Sequence, residues 1–135
     1  KEKRAGMGQL QYYMNFESKA LKAKSDFLEF LVTAKQEGKK IAAYGAAAKG
    51  NTLLNFCGIK NDIIEFVVDA AESKQGKFLP GSHIPIVTEK RNLDIKPDFI
   101  IILPWNIKEE VMEQLDYIKE WGGQFVIAIP KLEMF

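Results

Sequence analysis

The stretch IAAYGAAAKGNTLLNFCGI, Ile41 to Ile59, runs from a short apolar strand pattern through small residues into helical spacing. Three phosphate-binding templates compete for its middle. For a Walker A loop, Gly45 and Gly50 have the right spacing and Thr52 stands where a magnesium ligand would, but Asn51 occupies the lysine position. Without that ammonium on the β and γ phosphates, triphosphate hydrolysis is not expected. The dinucleotide fingerprint G-x-G-x-x-G fits better, as Gly45, Ala47 and Gly50 between strand and helix, with Asp69 closing the next strand (69 − 50 = 19 residues on). A methyl at Ala47 pushes the phosphates outward, which counts against NAD in its usual pose. The loop of methyl-donor enzymes needs an acid closing the first strand, and Tyr44 stands there. The plain alternative is that Ala46, Ala47 and Ala48 are small for close packing and that Asp69 is merely hydrated. Against it, Lys49, Asn51 and Thr52 lie beside exposed helix N-terminal amides and make an anion site, so a phosphate-bearing ligand is expected.

Working outward, Phe16, Ala20, Ala23, Phe27, Phe30, Leu31 and Ala34 recur at steps of three and four, which predicts a helix from Asn15 to about Glu37 that stops near Gly38. Residues 1–14 extend it or form a separate arm. Beyond the opening stretch, DIIEFVVDA predicts a second strand, AESKQGKFLPGSHIP a long loop, IPIVTE a short strand and PDFIIILPW a strand covered on both faces. NIKEEVMEQLDYIKEWGG predicts a helix with an Asn cap, acids in its first turn and a Gly stop, and QFVIAIP a last strand. Strands alternating with helices argue for an α/β fold: a Rossmann-like three-layer domain with a mainly parallel sheet, preceded by a long N-terminal helix. Residues 1–37 are read as arm and helix packing on the same core, residues 38–135 as the Rossmann-like domain.

The 135 residues suit one core, and 47% hydrophobic with 27% charged residues is the balance of a soluble globular protein. Lys plus Arg (19) nearly cancels Asp plus Glu (18), so no overall field favours nucleic acid or anionic lipid. One Cys excludes an internal disulfide or a Cys-cluster zinc site, and one His excludes any site needing two imidazoles; no metal is expected. No apolar run approaches the ~20 residues of a spanning helix, and the basic start has no apolar segment behind it, so the expected location is the cytoplasm without membrane contact. The absence of an initiator Met suggests a fragment of a longer protein.

YGAAAKGNTLLNFCGI, FVVDAAESKQGKFLPGSHIPI, PDFIIILPWN and GGQFVIAIP together resemble the C-terminal domain of the sugar C-methyltransferase family, over residues from about 38 to 130. The resemblance implies a three-part enzyme with a cysteine-rich zinc-binding part, a central S-adenosylmethionine-binding domain and this Rossmann-like domain. Methyl donor site and catalytic residues then lie in the central domain, so this fragment binds no cofactor, contributes no catalytic residue and transfers no methyl alone. The implied role here is a wall of the cleft that holds a nucleotide-sugar acceptor.

The carboxyl ends of the strands, where open α/β sheets bind ligands, carry Tyr44 with the alanine-rich loop, Asp69 with the long loop, and Pro104 with Trp105 and Asn106. Lys49 and the amides of Gly50 and Asn51 are the candidates for a pyrophosphate. Lys74, Gln75 and Gly76 either close over a ligand or form an ordinary surface loop. His83 is read as a positioning group rather than a base. Trp105 and Asn106 can stack on and hydrogen-bond a base or sugar, while Asn106 can equally cap the helix after it. Cys57 is read as a buried small hydrophobe. Two other functions remain open: a free-standing nucleotide-binding module using NAD or coenzyme A, and a structural or dimerisation domain.

Overall fold

The computed structural model describes residues 21–46, 48–128 and 132–135, with the backbone alone at 48 and 49. Strand β1 (Ile41–Tyr44) sits in mid-sheet, and the period of two along it assigns each side chain. Ile41 and Ala43 join one apolar layer; Ala42 and Tyr44 join the other. β1 pairs in parallel with β2 (Val67–Val68) on one side and with β4 (Phe99–Ile102) on the other. Strand β3 (Ile86–Val87) lies outside β2 and β5 (Gln124–Ile127) outside β4, both parallel, while β6 (Glu133–Met134) is antiparallel on β5. The order β3-β2-β1-β4-β5-β6 is that of doubly wound dinucleotide-binding sheets, so the Rossmann-like expectation holds.

One face is covered by helix α1, residues 21–36, and helix α2 (Ala48–Cys57). Phe27, Leu31 and Ala34 of α1 share an apolar cluster with Leu54 and Cys57 of α2 and with Ile41, Ile101 and Val126 of the sheet. Fully burying Phe27 or Leu31 stabilises by about 1.5–3 kcal/mol each. Gly38, at φ +78°, ends α1 as expected. The expected helix start near Asn15 and the arm over residues 1–14 lie outside the described residues.

The other face is covered by helix α4 (Lys108–Gln114) and a 3-10 segment, Asp116–Trp121, whose Val111 and Ile118 pack on Ile100, Ile102 and Phe125. β4 thus has apolar layers on both sides, which is why its sequence does not alternate. Among the described residues, no helix is long and apolar enough to cross a membrane.

Several local expectations are corrected. The second strand is not Asp62–Ala70: residues 61–63 form a turn and only Val67–Val68 keep register with both neighbours, although Glu65 still donates to Ile41 O at 2.9 Å. The long loop is a loop as expected, but it is folded on itself, with Phe78 bridged to Pro85 and Leu79, Ser82 and Ile84 buried. The one helix expected after Asn106 is three pieces, a 3-10 turn (Trp105–Ile107), α4 and the second 3-10 segment. Asn106 therefore lies inside a turn and is no cap; α4 begins after Ile107 without any side-chain cap bond. The tighter last piece lets the Trp121 indole reach Pro97 O at 2.9 Å before Gly122, at φ +80°, ends it. Helix α3 (Lys90–Ile95) and β6 carried no signal that periodicity could read.

Candidate functional site

At the reversal of strand order, the loops that follow β1 and β4 meet. Gly45, at φ +94°, turns the chain out of β1, and a Cβ there would stand 2.6 Å from Pro104 Cδ. Gly50, in the first turn of α2, faces Leu103, where a Cβ would come within 2.7 Å of the leucine Cβ. The two glycines thus do what the first and third glycines of a dinucleotide loop do: one makes the tight turn, the other lets helix and strand pack closely. Ala47 lies outside the described residues, and so does the side chain of Lys49.

Asp69 is not simply hydrated. One carboxylate oxygen accepts the Ala46 amide and the other the Ala71 amide, both at 2.8 Å, and the side chain is only 15% exposed. The Lys74 ammonium donates to Ala46 O at 3.3 Å and stands 4.0 Å from the Asp69 carboxylate. Gln75 Nε2 donates to Asp69 O at 2.9 Å. Gly76, at φ +82°, donates its amide to Ile86 O and brings the segment back to the edge of β3. Residues 69–76 are therefore stitched to the loop after β1.

On α2, Asn51 Oδ1 is buried without a hydrogen-bond partner, whereas Thr52 is exposed. Trp105 is half-buried against the α4-side core and Asn106 is exposed beside it. Tyr44 points to that same side, and its hydroxyl approaches Gln114 Oε1 at 3.5 Å. His83 is not brought to the loop. It sits exposed at φ +59° in a turn whose Pro80 O accepts a bond from Asn55 Nδ2, and Asn55 is about 10 Å along α2 from its first residue.

Residues that the sequence does not single out complete this end of the sheet. Gln114 is hydrogen-bonded to Glu89 beside Tyr44, and close to them Asn92 is bonded to Tyr117. Burial pushes the Tyr117 phenol up; the Asn92 amide donating to its oxygen opposes this, and the Glu89 carboxylate adds to it. Glu89 and Asn92, and Gln114 and Tyr117, are each three residues apart, but no spacing links one pair to the other. At the opposite end of the strands, a cavity of about 380 Å³ lies between α1 and β4, lined by Phe30, Thr33, Lys39 and Phe99 among others. No cluster of three or more His, Cys, Asp or Glu among the described residues is placed to hold a metal.

The family described as the C-methyltransferase C-terminal domain matches residues 1–130. The chain belongs to that family. The match takes in the first helix and the residues before it, further than the sequence resemblance reached. The C-methyltransferase C-terminal domain described here is 33% identical to the C-methyltransferase NovU of Streptomyces niveus over 130 residues, 96% of this chain and 31% of the relative. It spans about a third of the length of that curated relative.

Proposed function

We propose that this C-methyltransferase C-terminal domain forms one wall of the acceptor cleft of an S-adenosylmethionine-dependent enzyme and helps to hold a nucleotide sugar. The observation that carries this is the contact of Gly45 with Pro104, which brings the loops after β1 and β4 together at the reversal of strand order, where open α/β sheets take their ligands. The pyrophosphate is assigned to Lys49 and the amides of Gly50 and Asn51, with Thr52 beside them. The segment carrying Lys74, Gln75 and Gly76 borders the same loop, and Trp105 with Asn106 offers an aromatic face and an amide for base or sugar.

The methyl donor is assigned to a central domain outside this chain. Here β1 ends in the Tyr44 phenol instead of a carboxylate, and the Asp69 oxygens are already bonded to Ala46 and Ala71. The same commitment of Asp69 counts against a dinucleotide, whose ribose would compete for that carboxylate.

Titration of the purified domain with UDP-glucose, NADH and S-adenosylmethionine tests this assignment. Saturable binding of UDP-glucose alone, weakened in Lys49→Ala, is the expected result. Binding of NADH instead would make it a dinucleotide module, and no binding of any of the three would leave a structural role.

A further inference from the structure

We propose that residues 70–76 form a strap beside the loop after β1, latched by Lys74, that opens as one piece and closes on an anion held by that loop. The strap has firm ends. At one, the Asp69 carboxylate takes the Ala46 and Ala71 amides, both at 2.8 Å; at the other, the Gly76 amide donates to Ile86 O at 2.9 Å. Between them successive turns bind the segment to itself: Lys74 N donates to Ala71 O at 3.0 Å, Gln75 N to Glu72 O at 3.2 Å and Lys77 N to Lys74 O at 3.3 Å. These turns make it a unit.

The unit has no apolar anchor. None of residues 70–76 is buried, and none belongs to either apolar layer on the sheet. A segment with few buried apolar contacts opens locally at low cost while the core stays folded. Two side chains tie its middle down. Gln75 Nε2 donates to Asp69 O at 2.9 Å, within the base of the strap itself, whereas Lys74 Nζ crosses to the loop and donates to Ala46 O at 3.3 Å.

That crossing bond is built to be exchanged. Charge-assisted bonds are usually about 2.7–2.9 Å long, so 3.3 Å is a loose contact, and the Lys74 side chain is 44% exposed. Its approach to the Asp69 carboxylate, at 4.0 Å, is too long for a hydrogen bond. An ammonium has three donors, so two remain for another acceptor. A phosphate oxygen carries charge and accepts more strongly than a carbonyl. A single residue separates Ala46 from the first residue of α2, so an anion on the first amides of α2 lies beside the carbonyl that Lys74 holds. Closure therefore rests on the diphosphate assignment for its ligand, but the latch itself does not.

The test is amide hydrogen exchange followed by NMR on the full chain, for wild type, Lys74→Met and, as control, Lys77→Met, each without ligand and with excess UDP, whose binding is measured by calorimetry. Without ligand, Lys74→Met should speed exchange at positions 71, 74 and 75 by about fivefold or more and leave β1 and β4 within about twofold, and Lys77→Met should change neither. UDP should slow exchange at the same positions in wild type and not in Lys74→Met, a response that a purely structural lysine would not give. Unchanged exchange in Lys74→Met, an equal rise throughout the sheet, the same rise in Lys77→Met, or UDP that binds without slowing the strap overturns the proposal. If UDP does not bind, the diphosphate assignment fails, and a local rise in Lys74→Met still upholds the latch.

Discussion

The Asp69 carboxylate accepts the Ala46 amide at 2.8 Å, tying the end of β2 to the first residues after β1. Its other oxygen takes the Ala71 amide, so one side chain fixes the loop and the start of the segment that borders it. Removing it leaves two amides in search of partners at a site that is largely shielded from water. Asp69→Ala should destabilise the domain by about 2–3 kcal/mol and Asp69→Asn by less, since an amide oxygen can still accept one of the two bonds. Urea denaturation checks both, and equal stability of wild type and Asp69→Ala would refute the bracing role.

The glycines of the loop differ in what limits them. Gly50→Ala gains helix propensity, but its new methyl meets Leu103 Cβ, so a net loss of about 1–2 kcal/mol is expected. Gly45→Ala combines a left-handed backbone with a clash against the rigid Pro104 ring and should cost about 3 kcal/mol or more. Gly58→Ala is the control, because it shares the positive φ, at +70°, but meets open space; about 1 kcal/mol is expected. Thermal melts should rank the three in that order of loss: Gly45, Gly50, Gly58.

Stability should fall on the alkaline side. Burial pushes the Cys57 thiol above its ordinary value of 9.0, opposed by the nearby Lys24 charge, and burial likewise pushes the Tyr117 phenol above 10.0. Both groups hold their protons more tightly folded than unfolded. Their contribution is therefore complete below the unfolded values and is lost as pH rises through the folded ones. Unfolding free energy measured against pH should decline above about pH 9, and less steeply in Cys57→Ala. In the native state, Cys57, only 5% exposed, should react with a thiol reagent far more slowly than in urea.

Trp121 joins the end of the second 3-10 segment to the residue that leads into β4, through its indole bond to Pro97 O. Trp121→Phe keeps most of the apolar ring and removes that donor, leaving a carbonyl unpaired. A loss of about 1–2 kcal/mol is expected, measurable by denaturant titration. An unchanged midpoint would mean that solvent replaces the bond.

The fold class was legible in the sequence because strand and helix periods, apolar runs and glycine stops are local quantities. Each depends on residues within a few positions of one another, as at Gly38, Gly122 and the unbroken FIII of β4. The strand-to-helix turn that carries Gly45 and Gly50 was legible for the same reason. The lengths of β2 and β3, the break after Gln114 and the presence of α3 were not, because they depend on which neighbours a segment meets across the sheet. The same holds for the candidate site. Sequence spacing put Asp69 at a strand end, but only the tertiary structure decided that its carboxylate bonds the Ala46 amide, that Tyr44 faces Gln114 and not the loop, and that the turn before His83 is held to Asn55 through Pro80 O. Those pairings join residues 23 to 70 positions apart in the chain, and they are set by the packing of separate elements against one sheet, which no local pattern encodes.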